Sequence, residues 1–152
     1  MKKDVITLEK ITYKNYVKVL FGLNVTGKQK NFVASNLCSL AEAYVALTHG
    51  YPPYPFAVCR NGKPIGFLMI AFGWTEVERE EDDPDFIFGN YCIWRLMIDK
   101  RYQGKGYGRK AMELALDFIR TWPSGKSKYC WLSYEPENET AKNLYASFGF
   151  VE

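Results

Sequence analysis

A chain of 152 residues can bury a core of its own, and 47% hydrophobic with 16% aromatic residues excludes a disordered or fibrous protein. A net charge of +3 is too small to argue for nucleic acid or an anionic membrane, and no run of 18 apolar residues exists to span a bilayer. MKKDVITLEK has no apolar core behind its lysines, and Cys38, Cys59, Cys92 and Cys130 lack C-x-x-C spacing, with only His49 as an imidazole partner. They read as reduced thiols of a cytoplasmic protein with no metal site.

Neither repeat nor linker divides the chain, so residues 1–152 read as a single domain. VITLEKI (5–11) alternates as a half-buried strand does. From residue 13 to about 50 the apolar residues fall at helical spacing. Tyr16, Val19 and Leu20 come first, then Leu37, Leu40, Ala41 and Tyr44, with a polar break at 26–31. YPPYP ends this region, because proline restricts itself and its predecessor to extended backbone. In FAVCRNGKPIGFLMIAFGW two apolar strands flank Asn61-Gly62, the pair that suits a type I′ hairpin turn. An acidic loop follows, then a strand from about Phe86 to Ile98. Beyond a glycine-rich segment, Met112, Ala115, Leu116 and Ile119 form a helical stripe that Trp122-Pro123-Ser124-Gly125 stops. KYCWLSYE reads as a strand. Asn138 can cap a last helix with Ala141, Leu144, Tyr145 and Phe148 on one face and Gly149 at its end. This order predicts an α/β fold with a mixed sheet, parallel only where the crossover helix demands it.

The segment RYQGKGYGR (101–109) lies between a strand and a helix. Amides at a helix N-terminus are unpaired and partly positive, so they can bind phosphate. Gly104, Gly106 and Gly108 would let the backbone approach a diphosphate, with Lys105 and Arg109 adding charge. A glycine-rich turn that merely ends a strand is an equal alternative on this segment alone. Neither G-x-x-x-x-G-K-[ST] nor G-x-G-x-x-G is present.

Arg101-x-x-Gly104-x-Gly106 resembles the Q/R-x-x-G-x-G/A signature of GNAT-superfamily N-acetyltransferases, and NETAKNLYASFGF (138–150) resembles their N-x-x-A-x-x-L-Y-x-x-x-G-F element. The likeness runs over the whole chain and is closest to bacterial spermine/spermidine acetyltransferase-like proteins. It implies a GNAT-like, mostly antiparallel sheet with splayed central strands, flanked by helices. It implies acetyl-CoA as cosubstrate, with the pantetheine arm along the backbone of Leu96, Met97 and Ile98. The amides of Gln103, Gly104, Lys105, Gly106, Tyr107, Gly108 and Arg109 would hold the pyrophosphate. Asn138 and Ala141 would meet the pantetheine arm, and Tyr145 the coenzyme sulfur. The family continues past the GF pair with further sheet, whereas this sequence stops at Val151-Glu152, so the resemblance implies a last strand missing or truncated. A homodimer would be one way to cover the edge.

Acetyl transfer to an amine needs a neutral amine, a polarised thioester, a stabilised oxyanion and a proton for the leaving thiolate. An N–H near Met97 could meet the oxyanion, and Tyr145 could supply the proton. Periodicity alone favours Tyr145 as a core aromatic; the family element favours catalysis. No acid stands in Ile93-Trp94-Arg95-Leu96, which leaves Glu135, the acidic loop or a water chain as base. His49 reads as a surface turn residue. EVEREEDDPD (76–85) sets seven carboxylates around Arg79, either as a solvated loop or as a rim that draws in a polyamine. Tyr44, Tyr51, Tyr54 and Trp74 could add cation–π contacts, and Glu42 a further acid. The reading is an acetyl-CoA-dependent N-acetyltransferase acting on a small amine in a ternary complex. A coenzyme A-binding module without catalysis is the alternative, and the lack of a basic stripe argues against a nucleic-acid binder.

Overall fold

The computed structural model describes residues 2–73 and 79–152. Five strands form one sheet in sequence order: β1 (Ile6–Lys10), β2 (Tyr54–Arg60), β3 (Lys63–Phe72), β4 (Tyr91–Ile98) and β5 (Cys130–Trp131). The first three junctions are antiparallel and the last is parallel. Helices α1 (Tyr16–Phe21) and α2 (Asn36–Thr48) lie between β1 and β2 in the chain, α3 (Tyr107–Ile119) crosses from β4 to β5, and α4 (Glu139–Ala146) follows β5.

Alternation along the strands builds a core on each face. Val58, Leu68, Ile70 and Tyr91 meet Ala111, Met112, Ala115 and Ile119 of α3. Ala57, Phe67, Met69 and Met97 meet Val19 of α1 and Ala43 of α2. The sheet is thus the middle layer between α3 and the α1/α2 pair. Asn61 and Gly62 carry φ of 49° and 79°, as the Asn-Gly hairpin requires.

Two elements differ from the sequence reading. The fourth strand begins at Tyr91, not Phe86: residues Asp85–Ile87 form a 3₁₀ turn, and Gly89 at φ 67° breaks the extension. The buried Asn90 amide seals that turn, donating to the carbonyls of Phe86 (2.9 Å) and Phe88 (3.1 Å). Among the described residues, the expected strand KYCWLSYE pairs only through Cys130 and Trp131. The cause lies in β4. Arg95 pairs with Met69 and Ile93 with Ile70, so Trp94 is an extra residue, a β-bulge. The bulge lets Ile93 and Ile98, five residues apart, face the same core, and it turns Trp94 and Arg95 toward the α1/α2 layer. It also bends β4 away from β5 beyond the pair Cys92 and Trp131.

Gly66 is the closest approach within the sheet. A Cβ there would lie 2.5 Å from the Met97 carbonyl oxygen, so glycine is what lets β3 pack against the part of β4 beyond the bulge.

Candidate active site

The divergence of β4 and β5 opens a cleft of about 860 Å³. One wall is β4 from Ile93 to Ile98. The other carries Ser133, Tyr134 and Glu135 with the inner face of α4, and the segment between α1 and α2 closes over it. Gly104 and Gly106 line one end.

That end is a loop of free donors. Gly104 and Gly106 adopt φ of 71° and 83°, and α3 makes its first helical bond from Lys110 to the Gly106 carbonyl (3.1 Å). Among the described residues, no chain acceptor meets the main-chain N–H groups of residues 103–109. Successive left-handed glycines and an uncapped helix start thus leave a row of amides open to an anion. Nothing stands within 4 Å of a Cβ built at Gly104 or Gly106, so the constraint at both is backbone conformation rather than space.

Asp99, which sequence reasoning passed over, anchors this loop. Its buried carboxylate accepts from the amides of Asn24 (2.8 Å) and Arg101 (3.0 Å) and from Arg101 Nε (2.8 Å) and Nη2 (3.1 Å). Burial by itself would raise its pKa; the Arg101 side chain and the two amides outweigh that and hold it at about 2. An acid directly after an apolar strand and two residues before the motif arginine was the available signal. Because folding lowers this pKa from 3.8, the stabilisation is complete above about pH 4 and disappears as pH falls through about 2. Asp99→Asn should therefore lose on the order of 2 kcal/mol at pH 7, a deficit that shrinks toward zero below pH 4, as denaturant titrations at several pH values would show.

Tyr145 lies in the second wall, half-buried, with ring contacts to Tyr134 at 5.9 Å and Phe150 at 6.2 Å. Burial raises its pKa above the usual 10, so it stays protonated near neutrality. Among the described residues its hydroxyl has no hydrogen-bond partner. Asn138 does cap α4, its Oδ1 accepting from the Ala141 amide at 3.2 Å, and both residues line the cleft. Leu96, Met97, Ile98, Gln103, Tyr107 and Gly108 line it too. The Gln103 side chain donates to the Ile98 carbonyl (2.8 Å) and pairs with Gln29 of the covering segment.

Other candidates lie apart. Lys105 and Arg109 do not line the cleft, although no chain acceptor among the described residues meets their main-chain N–H groups. Lys105 Nζ bonds the Arg101 carbonyl (3.2 Å); Arg109 bonds Ser147 Oγ (2.6 Å) and lies over the Phe148 ring. Glu42 is committed to Arg95 at 2.7 Å, while Arg95 Nη1 also holds the Trp94 carbonyl at 2.9 Å. Tyr54 packs on Phe118 and bonds Ser124, Tyr51 abuts Gly73, and Tyr44 and His49 are exposed. Glu80, Glu81 and Asp82 are exposed in a loop joined to the end of β4 remote from the glycines, whereas Trp74, Glu76 and Glu78 fall outside the described residues. Among the described residues, Glu135 is the one carboxylate lining the cleft. The four thiols are free, and burial pushes those of Cys59, Cys92 and Cys130 up to about 12, which keeps them inert. No described helix is long and apolar enough to cross a membrane.

A mixed sheet parted beside a crossover helix, with bare amides at that helix's start, defines an α/β protein whose cleft suits an extended ligand with an anionic group. Residues 29–150 match the family model of the acetyltransferase (GNAT) family. A spermine/spermidine N(1)-acetyltransferase of Bacillus subtilis is 30% identical over 145 residues, 95% of this chain and 87% of that protein. Aminoglycoside acetyltransferase AAC(6')-Ib, crystallised with coenzyme A, superposes with a TM-score of 0.68 at 21% identity, covering 97% of this chain and 84% of its own. An acetyltransferase of Thermus thermophilus gives 0.64 at 18% identity over 96% and 86%. The chain belongs to the GNAT acetyltransferase family. It is an N-acetyltransferase, with the family's cosubstrate acetyl-coenzyme A.

Proposed function

We propose that this protein acetylates a primary amine of a small polyamine such as spermidine or spermine, by direct transfer in a ternary complex. One observation carries the reading: the cleft joins a row of amides at one end to a protonated tyrosine hydroxyl within, neither of which has a hydrogen-bond partner among the described residues.

Acetyl-CoA supplies the acyl group as a thioester. The amides of residues 103–109 hold its diphosphate, where the α3 N-terminus favours negative charge. Beyond Cys92, β4 has no strand partner on its β5 side among the described residues, which leaves its main chain in the stretch of Leu96, Met97 and Ile98 open to the pantetheine amides, apart from the Ile98 carbonyl that Gln103 holds. Asn138 keeps its Nδ2 for the same arm while Oδ1 caps α4. Tyr145 holds a proton at its Oη for the departing thiolate. Glu135 is the acceptor for the proton of the incoming ammonium, directly or through water.

The polyamine rests on the Bacillus relative and on the exposed acids of the β3–β4 connection, whose field attracts polycations before contact. Spermidine and spermine should accordingly exceed a monoamine of similar length in kcat/KM. That advantage should fall steeply with salt, since the screening length is roughly 10 Å at 0.1 M. Neutralising Glu80, Glu81, Asp82 and Asp83 together should raise the polyamine KM and leave the acetyl-CoA KM unchanged. A free-thiol assay over an amine panel makes the test. Kinetics that ignore both salt and the four substitutions would assign the cleft to a different amine.

A further inference from the structure

Asp4, just before β1, gathers three groups that lie far apart in the chain. Its carboxylate accepts hydrogen bonds from Tyr107 Oη (2.6 Å) and Asn61 Nδ2 (3.1 Å) and forms an ion pair with Arg60, whose Nε lies 3.0 Å away. The hairpin turn holds this segment in return. Val5 N–H donates to Asn61 Oδ1 (2.9 Å), and Asn61 N–H to the Val5 carbonyl (2.8 Å). Tyr107 is the first residue of α3 and directly follows Gly106. Hence a carboxylate at the far edge of the sheet is tied to the point where the amide row enters its helix.

The tie matters because the loop is otherwise held mainly at its start, by Asp99 with Arg101 and by the Gln103 side chain on the Ile98 carbonyl. Gly104 and Gly106 have the widest backbone freedom of any residue type, and their surroundings are open. The start of the loop is pinned by Asp99 and Arg101, its end by Tyr107. We propose that Asp4 is a positioning residue for the coenzyme, acting through Tyr107 to aim the amides of residues 103–109 at the diphosphate. This rests on the phosphate reading of the glycine loop given above. A charge-assisted bond between a carboxylate and a phenol belongs to the stronger class of side-chain hydrogen bonds, and its loss returns conformational freedom to the loop.

The test is steady-state kinetics of Asp4→Asn and Tyr107→Phe with two thioesters, acetyl-CoA and S-acetylpantetheine, which lacks the diphosphate. Each variant should raise the acetyl-CoA KM about tenfold with kcat unchanged, as expected for a bond that organises binding rather than chemistry. The double variant should be no worse than either single one, and Asp4→Glu should recover part of the loss. The KM for S-acetylpantetheine should not move. Removing the Asp4 charge would by itself favour an anion, so a higher KM cannot arise from charge alone. A wild type that prefers acetyl-CoA, with variants that match it or lose both thioesters equally, would overturn the Asp4 inference alone. A wild type that treats the two thioesters alike would overturn the loop reading and this inference together.

Discussion

Gly106→Val is expected to weaken coenzyme A binding by about 100-fold or more while the protein still folds. Gly106 directly precedes α3 at φ 83°, a conformation that costs a β-branched residue about 1–3 kcal/mol. Valine escapes that strain by rotating out of the left-handed region, and the rotation redirects the adjoining peptide groups. Among the described residues no chain acceptor meets their N–H groups, so little native structure opposes the change. The loss therefore falls on the ligand, whose diphosphate needs several of these donors at once. The open space around Gly106 excludes a steric explanation, and Gly106→Ala should show a smaller defect of the same kind. Calorimetry with coenzyme A decides it: unchanged affinity in the valine variant would mean that the loop does not cradle phosphate.

Tyr145→Phe should lower kcat on the order of 100-fold with the acetyl-CoA KM near normal, the pattern of a group that acts in the transition state. Stability should hardly change. The hydroxyl leaves no orphaned partner behind, and the ring keeps its contacts with Tyr134 and Phe150. Since burial raises the Tyr145 pKa above 10, the wild type should keep its proton donor throughout the neutral and mildly alkaline range. Full turnover in the variant would return Tyr145 to a packing role.

Much of this architecture is legible from local signals. Asn61-Gly62 sets the hairpin, the stripe of Met112, Ala115 and Ile119 sets α3 against the sheet, and Asn138 caps α4. The glycine motif pointed to the amide row. What stayed hidden depends on partners distant in sequence. Ile93-Trp94-Arg95-Leu96 reads as plain strand, and only its pairing with Met69 and Ile70 reveals the extra residue that opens the cleft. KYCWLSYE is apolar enough to suggest a full strand, yet Leu132 packs against the α3-side core without a ladder partner. The basic side chains in the motif suggested charge for the phosphate, but Ser147 and Phe148, far along the chain, take the Arg109 guanidinium. Asp99 and Asp4 escaped notice because an isolated acid carries no periodicity.

On this reading the parted strands hold acetyl-CoA while its acetyl group passes to an amine. The most direct measurement is the stoichiometry of one reaction: free thiol released and acetylated spermidine formed, counted together. One thiol should appear per acetylated amine, with no thiol in the absence of amine, and Gly106→Val should form both products far more slowly at the same acetyl-CoA concentration. Thiol release that proceeds without amine, or without a matching acetylated product, would contradict this reading.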